Sequence, residues 1–432
     1  MKSINCLFLS CFTLGACFAQ TITTVAGTGD SGFAGDGGPA TMAQFSDPRS
    51  MAVDGQGNLY VVDNVNNRIR QLAPSGMITT VAGTGDISSP VEGAATQTGF
   101  IAIYGIAALP DGTLYVADSD GVQRVDPWGN LNFVVTGTAV PGVRVTPQGV
   151  FYTAGATVIY QLASDQSQTP VAGVSLGDSG DGGPATQAQF FVTDFTTDLA
   201  GNIYILDNVA NRVRMFTPGG NINTIAGTGS PDFNGDGGLG FQAPLNNPSG
   251  IAVDVAGNVY ISDTGNLRIR RLSTTGVINT FAGTGQTISN GDGGPALQAS
   301  FNYPTYLAVS CTALYVTDTQ RIRAIALTDP LIAQNGITNS ATGALSIEMG
   351  TAFTISGCNL AGSSATADPT APPVYALSGT SVTLNGYNVP VMSVSPTQVV
   401  VQLPFGFSSG RAVVVVTLDG NTTTATAATV IE

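Results

Sequence analysis

One motif returns along most of this chain, and a repeating chain folds as stacked copies of a unit rather than around a single irregular core. Ile-x-Thr-Val-Ala-Gly-Thr-Gly stands at 22–29 and 78–85, returns at 222–229 and 278–285 with Ile225 and Phe281 in the Val position, and is degraded around Val135 and Val171. Taken as equivalent, Val25, Val81, Val135, Val171, Ile225 and Phe281 are spaced 56, 54, 36, 54 and 56 residues apart. Six units follow, the third of them short. Within a full unit the order is constant: Pro48-Arg-Ser-Met-Ala-Val-Asp54, Gly57-Asn-Leu-Tyr-Val-Val-Asp63, Asn67-Arg-Ile-Arg-Gln-Leu72, then Ile78-Thr-Thr-Val-Ala82. Each is a short run of β-branched and aromatic residues between Gly, Asn and Asp turn signals, and so reads as a strand. Four strands per unit with tight turns make a propeller blade; a helical solenoid would show a 3.6-residue period. Leu59-Tyr-Val-Val62, Val259-Tyr-Ile-Ser262 and Leu314-Tyr-Val-Thr317 are apolar on both alternations or nearly so, as sheets covered on both faces require.

The ends of the repeat predict how the ring closes. The last unit offers strands at 306–309, 313–317 and 321–327, then runs into Asp329-Pro330 with no fourth. The missing strand lies at the other end of the chain, so 22–26 is expected to pair with the sixth blade. Beyond residue 329 the composition shifts to Ala, Thr, Ser and Val, with strand-like runs at 352–356, 381–384, 399–403 and 412–418. Short strands and turns of this kind imply a small β-sandwich. The expected class is all-β, a six-bladed propeller over 20–328 followed by a sandwich over 329–432.

Met1 to Asn5 carries the only lysine, Lys2, and precedes an apolar run through Ala19. This reads as a signal peptide of residues 1–19, and thus as a secreted or cell-envelope protein. Leu14-Gly15-Ala16-Cys17 also has the form of a lipobox that would place a lipid anchor on Cys17. Ordinary cleavage is mechanically simpler, because a strand begins near Ile22. No later stretch is apolar for the roughly 18–20 residues of a membrane span.

Composition excludes much chemistry. The chain of 432 residues has no His and, past the leader, no Lys. Ser-His-Asp and Cys-His couples, imidazole zinc sites, Schiff-base lysines and phosphate-loop lysines are therefore ruled out. A net charge of −14 argues against nucleic acid, whose phosphates demand clustered Lys and Arg. Gly27-Thr-Gly-Asp-Ser-Gly32 has dinucleotide-fingerprint spacing but lacks the βαβ context that the motif needs.

Gly57-Asn-Leu-Tyr-Val-Val-Asp63, Asn67-Arg-Ile-Arg70 and Ile78-Thr-Thr-Val-Ala-Gly83 resemble NHL repeats, and Gly35-Asp-Gly-Gly-Pro-Ala40 between blades resembles the teneurin-type NHL propellers of secreted bacterial proteins. The resemblance covers roughly 21–328. It implies the fold strongly and the function weakly, because such propellers serve as protein-binding, sensor and occasionally lyase domains. The lyases of the family rely on a metal with His ligands, which this chain lacks. Thr354-Ile-Ser-Gly-Cys-Asn-Leu-Ala361, Val382-Thr-Leu-Asn-Gly386 and Ser395-Pro-Thr-Gln-Val-Val-Val-Gln-Leu-Pro404 are similar to immunoglobulin-like TIG modules, which implies spacing, docking or display.

Only Cys311 and Cys358 stay clearly in the mature chain; they are either a disulfide across the domain junction or two small buried residues. The Gly-Asp-Gly-Gly linkers hold Asp36, Asp181, Asp236 and Asp292, carboxylates of the kind calcium takes, although Gly for positive φ and Asp as a local cap explain them as well. No cofactor is expected, with calcium as the alternative. Asp63, Asp118, Asp207, Asp263 and Asp318 end second strands, with Arg68, Arg212 and Arg268 five residues on, and read as structural turns and ion pairs.

Better functional candidates lie where the units differ at one structural level. The first strand of each blade lines the channel, and alignment on Tyr60 places Arg49, Tyr104, Pro141, Thr193, Ser249 and Thr305 at one level and Ser50, Gly105, Gly142, Asp194, Gly250 and Tyr306 at the next. Arg49, Tyr104, Asp194 and Tyr306 thus form an asymmetric rim, in which Arg49 and Asp194 could also simply pair. The expected role is non-catalytic binding of protein or glycan on the loop-rich face. The competing class is a calcium-dependent hydrolase or lyase with Asp194 as its base.

Overall fold

A computed structural model describes residues 20–431 apart from 137–139, 147–148, 347, 349 and 404–409. The expected leader and Cys17 lie outside the described residues. The protein is a six-bladed β-propeller with an immunoglobulin-like sandwich at its C-terminus. Blade 1 holds Pro48–Val53, Leu59–Asp63, Arg68–Leu72 and Ile78–Ala82, paired antiparallel in chain order from the channel outward. Blades 4 and 5 copy it over Asp194–Thr197 to Ile222–Ala226 and Gly250–Val253 to Ile278–Ala282. Blade 2 runs from Ile103–Ala108 to Asn130–Thr136 and adds a short outer strand, Gly93–Ala94. The short third unit is a complete blade of four strands, Gly142–Val145 to Gln168–Ala172. Its shortness comes from the connection preceding it, not from a missing strand.

Blade 6 contributes Pro304–Val309, Ala313–Asp318 and Arg321–Ala326, and the N-terminal strand Ile22–Ala26 pairs antiparallel with the last of these, Ile22 opposite Ile325. The closure is tight where it ends. Gly27 sits at φ +91°, and a Cβ there would run into the Gln320 carbonyl oxygen. The first strands of neighbouring blades touch all the way round the ring. Apolar residues gather in six clusters, one between each pair of adjacent blades; between blades 6 and 1, for example, Phe45, Met51, Val61, Ala308 and Ile322 pack together. Burial between sheets rather than at a single centre explains why the second strands that end in Asp are apolar on both alternations up to that Asp, with Ser262 and Thr317 the polar exceptions.

The linkers entering blades 1, 4 and 6 form 3-10 turns directly after Pro39, Pro184 and Pro295. C-terminally, Leu331–Asn339, Ala352–Cys358, Gln398–Gln402, Val391–Ser395 and Ala365–Thr366 form one sheet. Thr380–Leu384, Gly410–Leu418 and Asn421–Ile431 carry the other, and Phe353, Ile355, Val382, Val399, Val401 and Val414 fill the space between. Cys311, in the turn between the first and second strands of blade 6, is disulfide-bonded to Cys358. Asn359 beside it donates to the carbonyl oxygens of Cys311 and Leu327.

Candidate functional site

Tight packing of the inner strands sets the shape of the channel mouth. Gly105 and Gly142 stand where adjacent blades nearly meet: a Cβ on Gly105 would lie 3.2 Å from the Gly142 Cα, and one on Gly142 would lie 3.1 Å from the Phe195 ring. At the same level Ser50, Asp194 and Tyr306 carry side chains instead. Ser50 Oγ accepts the Ile106 amide at 3.2 Å and Asp194 Oδ2 accepts the Ile251 amide at 3.2 Å, so both clip their blade to the next.

These residues enclose a cavity of about 160 Å³ lined by Arg49, Tyr104, Asp194 and Tyr306 together with Arg144 and Thr193. All four rim residues expected from the sequence are thus brought to one place. Arg49 and Asp194, however, do not pair. Arg49 Nε donates to Asp47 at 2.9 Å in an exposed pair. Asp194 Oδ1 takes Arg144 Nη2 at 2.8 Å and the Phe195 amide at 2.8 Å. Burial pushes the Asp194 carboxyl up from its ordinary range, against the pull of Arg144 and the two amides. Burial likewise pushes the Tyr306 phenol up, while Arg49 pulls it down. Tyr104 is exposed and its hydroxyl meets Ser119 Oγ at 3.1 Å.

Arg144 was missed at the sequence level although a signal existed. Counted two residues inward from the Gly142 level, the equivalents are Ala52, Ala107, Thr196, Ala252 and Ala308. A guanidinium where five blades carry Ala or Thr belongs to the channel axis. A second cavity of about 170 Å³, lined by Ala52, Thr196, Ala252 and Ala308 with apolar Met51, Ile251 and Leu307, also touches Arg144. Arg144 therefore stands between an outer chamber at the mouth, where it meets Asp194, and an inner chamber further down the channel.

Asp36, Asp181, Asp236 and Asp292 are each taken by a buried arginine. Arg70 meets Asp36 at 2.7 Å, Arg214 meets Asp181 at 2.5 Å, Arg270 meets Asp236 at 2.9 Å and Arg323 meets Asp292 at 2.7 Å. Among the described residues no three Asp, Glu, Cys or His side chains gather as a metal centre. The strand-end acids use the same arginines: Asp63 to Arg70 and Asp263 to Arg270 at 3.3 Å, Asp318 to Arg323 at 3.6 Å. The arginine five residues on is not the partner. Arg68 instead donates to the carbonyl oxygens of Asn66 and Thr84 and lies 4.0 Å over the Phe33 ring.

The model of the teneurin NHL domain matches residues 19–91 and 86–290, and that of the IPT/TIG domain matches 339–430. The chain belongs to the teneurin NHL family. It is 27% identical to teneurin-1 of Mus musculus over 281 residues and 29% identical to teneurin-4 of Homo sapiens over 275. Those alignments take in 59% and 57% of this chain but 9% of each relative, so most of a teneurin has no counterpart here. A Bacteroides thetaiotaomicron structural-genomics protein of unknown function matches the NHL chain with TM-score 0.57 at 20% identity, over 71% of this chain and 76% of its own. An auxiliary nutrient binding protein of the same species matches with TM-score 0.53 at 17% identity, over 71% and 76%. At such identities the likeness is one of fold.

Proposed function

We propose that this NHL propeller is an extracytoplasmic, non-catalytic binding protein that takes a protein or glycan segment at the channel mouth on its loop-rich face, with the TIG module as spacer or dock. The observation that carries this reading is the outer chamber, where two arginines, one carboxylate and two tyrosines from five different blades converge while the positions equivalent to Arg49, Tyr104, Asp194 and Tyr306 in the other blades are small. A ring of equal subunits has no reason to be asymmetric at its axis unless an asymmetric ligand is read there. Aromatic faces beside hydrogen-bonding groups suit sugar rings and peptide side chains alike. The fold neighbour described as an auxiliary nutrient binding protein supports binding as the role, and teneurin relatives support an extracytoplasmic place. No helix among the described residues is long and apolar enough to cross a membrane. For hydrolysis or lysis at the channel, Asp194 would have to act as base, yet both its oxygens already accept bonds from Arg144, Phe195 and Ile251.

The test is a screen of the purified mature protein on glycan and peptide arrays, followed by calorimetry with each hit. Tyr104→Ala and Arg49→Ala should abolish binding while leaving the circular dichroism spectrum unchanged. Binding that ignores both substitutions would remove the channel mouth from the account.

A further inference from the structure

Four of the six blades bury an arginine against a linker aspartate, three of these arginines also pair with the strand-end aspartate, and blade 2 has lost the arginine while keeping the strand-end acid. Its strand-end acid is Asp118, fully buried, and the position of Arg70, Arg214, Arg270 and Arg323 is held by Gln123, also fully buried. Asp118 Oδ1 accepts the amides of Asp120 and Gly121 and the Gln123 Nε2 donor, at 2.8, 3.0 and 3.0 Å. Its other oxygen, Oδ2, has no protein partner, and neither do Asp120 Oδ2 and Gln123 Oε1, all three shut off from solvent. Oδ2 is the same oxygen that meets the guanidinium in Asp63, Asp263 and Asp318. Burial and the facing Asp120 carboxylate push the Asp118 carboxyl up. A buried carboxylate costs several kcal/mol unless it is paired, and unsatisfied buried oxygens are rare in native proteins.

We infer that blade 2 holds a calcium ion where its sister blades hold a guanidinium, with Asp118 Oδ2, Asp120 Oδ2 and Gln123 Oε1 among its ligands. Hard oxygen donors from two carboxylates and an amide are calcium's ligand set, and a dry site suits calcium better than magnesium, which keeps several of its waters. Calcium brings two positive charges where the guanidinium brings one, and so matches the two carboxylates, Asp118 and Asp120, that the site presents. The placement also gives the ion work. Ser119, between the two acids, is the partner of Tyr104, so calcium would hold the turn that steadies one wall of the outer chamber.

The experiment uses the full mature protein, stripped with a chelator and dialysed, with calcium titrated by calorimetry and metal content read by elemental analysis. One calcium per chain is expected, binding at or below the roughly 1 mM range of extracellular modules, with a rise in melting temperature that magnesium does not reproduce. Asp120→Asn should weaken it by more than the roughly 10–100-fold that loss of an outer-shell partner costs. Gln123→Arg, which rebuilds the sister-blade arrangement, should abolish calcium binding and yet melt at or above the calcium-free wild type. No calcium bound at about 1 mM, or calcium bound equally well by both variants, overturns the assignment.

Discussion

At the scale of single residues, stability rests on the buried arginines. Arg270 is wholly enclosed, pairs with Asp236 and Asp263, and its guanidinium carbon lies 5.0 Å over Phe233. Arg270→Met removes a cation from between two acids, one of them fully buried. A cost of about 3–5 kcal/mol is expected, read as a shift of the urea midpoint. Adding Asp263→Asn should return part of that loss; a double variant no better than additive would show that the pair is uncoupled. Asp292 gives a pH signature. Burial alone would raise its carboxyl, but bonds from Thr24 and Arg323 outweigh this and hold it below the usual carboxylate range. A depressed native value means stability present above the unfolded value and lost as pH falls through the folded one. Asp292→Asn should therefore melt below wild type at neutral pH, with the gap closing below about pH 4; a gap unchanged down to about pH 2 would assign the effect to shape. The acids were legible in the sequence but their partners were not. Asp63 stands directly opposite Arg68 in the hairpin, yet the arginine that turns inward to it is Arg70, on the same face one step further along.

At the scale of elements, the repeat made the blades legible, because period and turn chemistry recur whatever the packing. What escaped lay where the repeat decays. Arg144 belongs to the degraded third unit, whose register cannot be fixed by its motif alone, and the sequence therefore left Asp194 facing Arg49. The short connection into blade 3 similarly hid a complete blade. Closure, by contrast, was readable from a missing strand at one end and a spare one at the other. It has a junction beside it in the disulfide, whose cysteines are 47 residues apart. Constraining a loop of that length contributes about 2–4 kcal/mol through the unfolded chain. Cys311→Ser with Cys358→Ser should lower the melting transition of the C-terminal module accordingly, which differential scanning calorimetry resolves. A transition unchanged within error would mean that the bond adds nothing the surrounding contacts do not already fix.

At the scale of the molecule, the C-terminal module lies on the face of the short turns and leaves the loop-rich face with the outer chamber open. Two sets of contacts place it there. The disulfide and Asn359 tie it to blade 6. Gln334 reaches the other side: its Nε2 donates to Asp198 at 3.1 Å, its Oε1 accepts the Ala200 amide at 3.2 Å, and its backbone amide donates to the Val255 carbonyl oxygen at 2.8 Å. The module thus bears on three successive blades, and an object held at three points has one orientation where an object held at one point swings. Hydrogen bonds of this kind add about 0.5–1.5 kcal/mol each, enough to fix an angle though not to hold two bodies together alone. Breaking the disulfide should therefore leave the solution shape unchanged, because Asn359 and Gln334 persist. Breaking it together with Gln334→Ala and Asn359→Ala, which leaves, of these contacts, only the residue-334 backbone amide on Val255, should free the module to swing, raising the radius of gyration and smearing the interdomain peak in small-angle X-ray scattering. If the disulfide variant alone swings, the polar bracket on blades 4 and 5 sets nothing, and the covalent bond is what fixes the module's position.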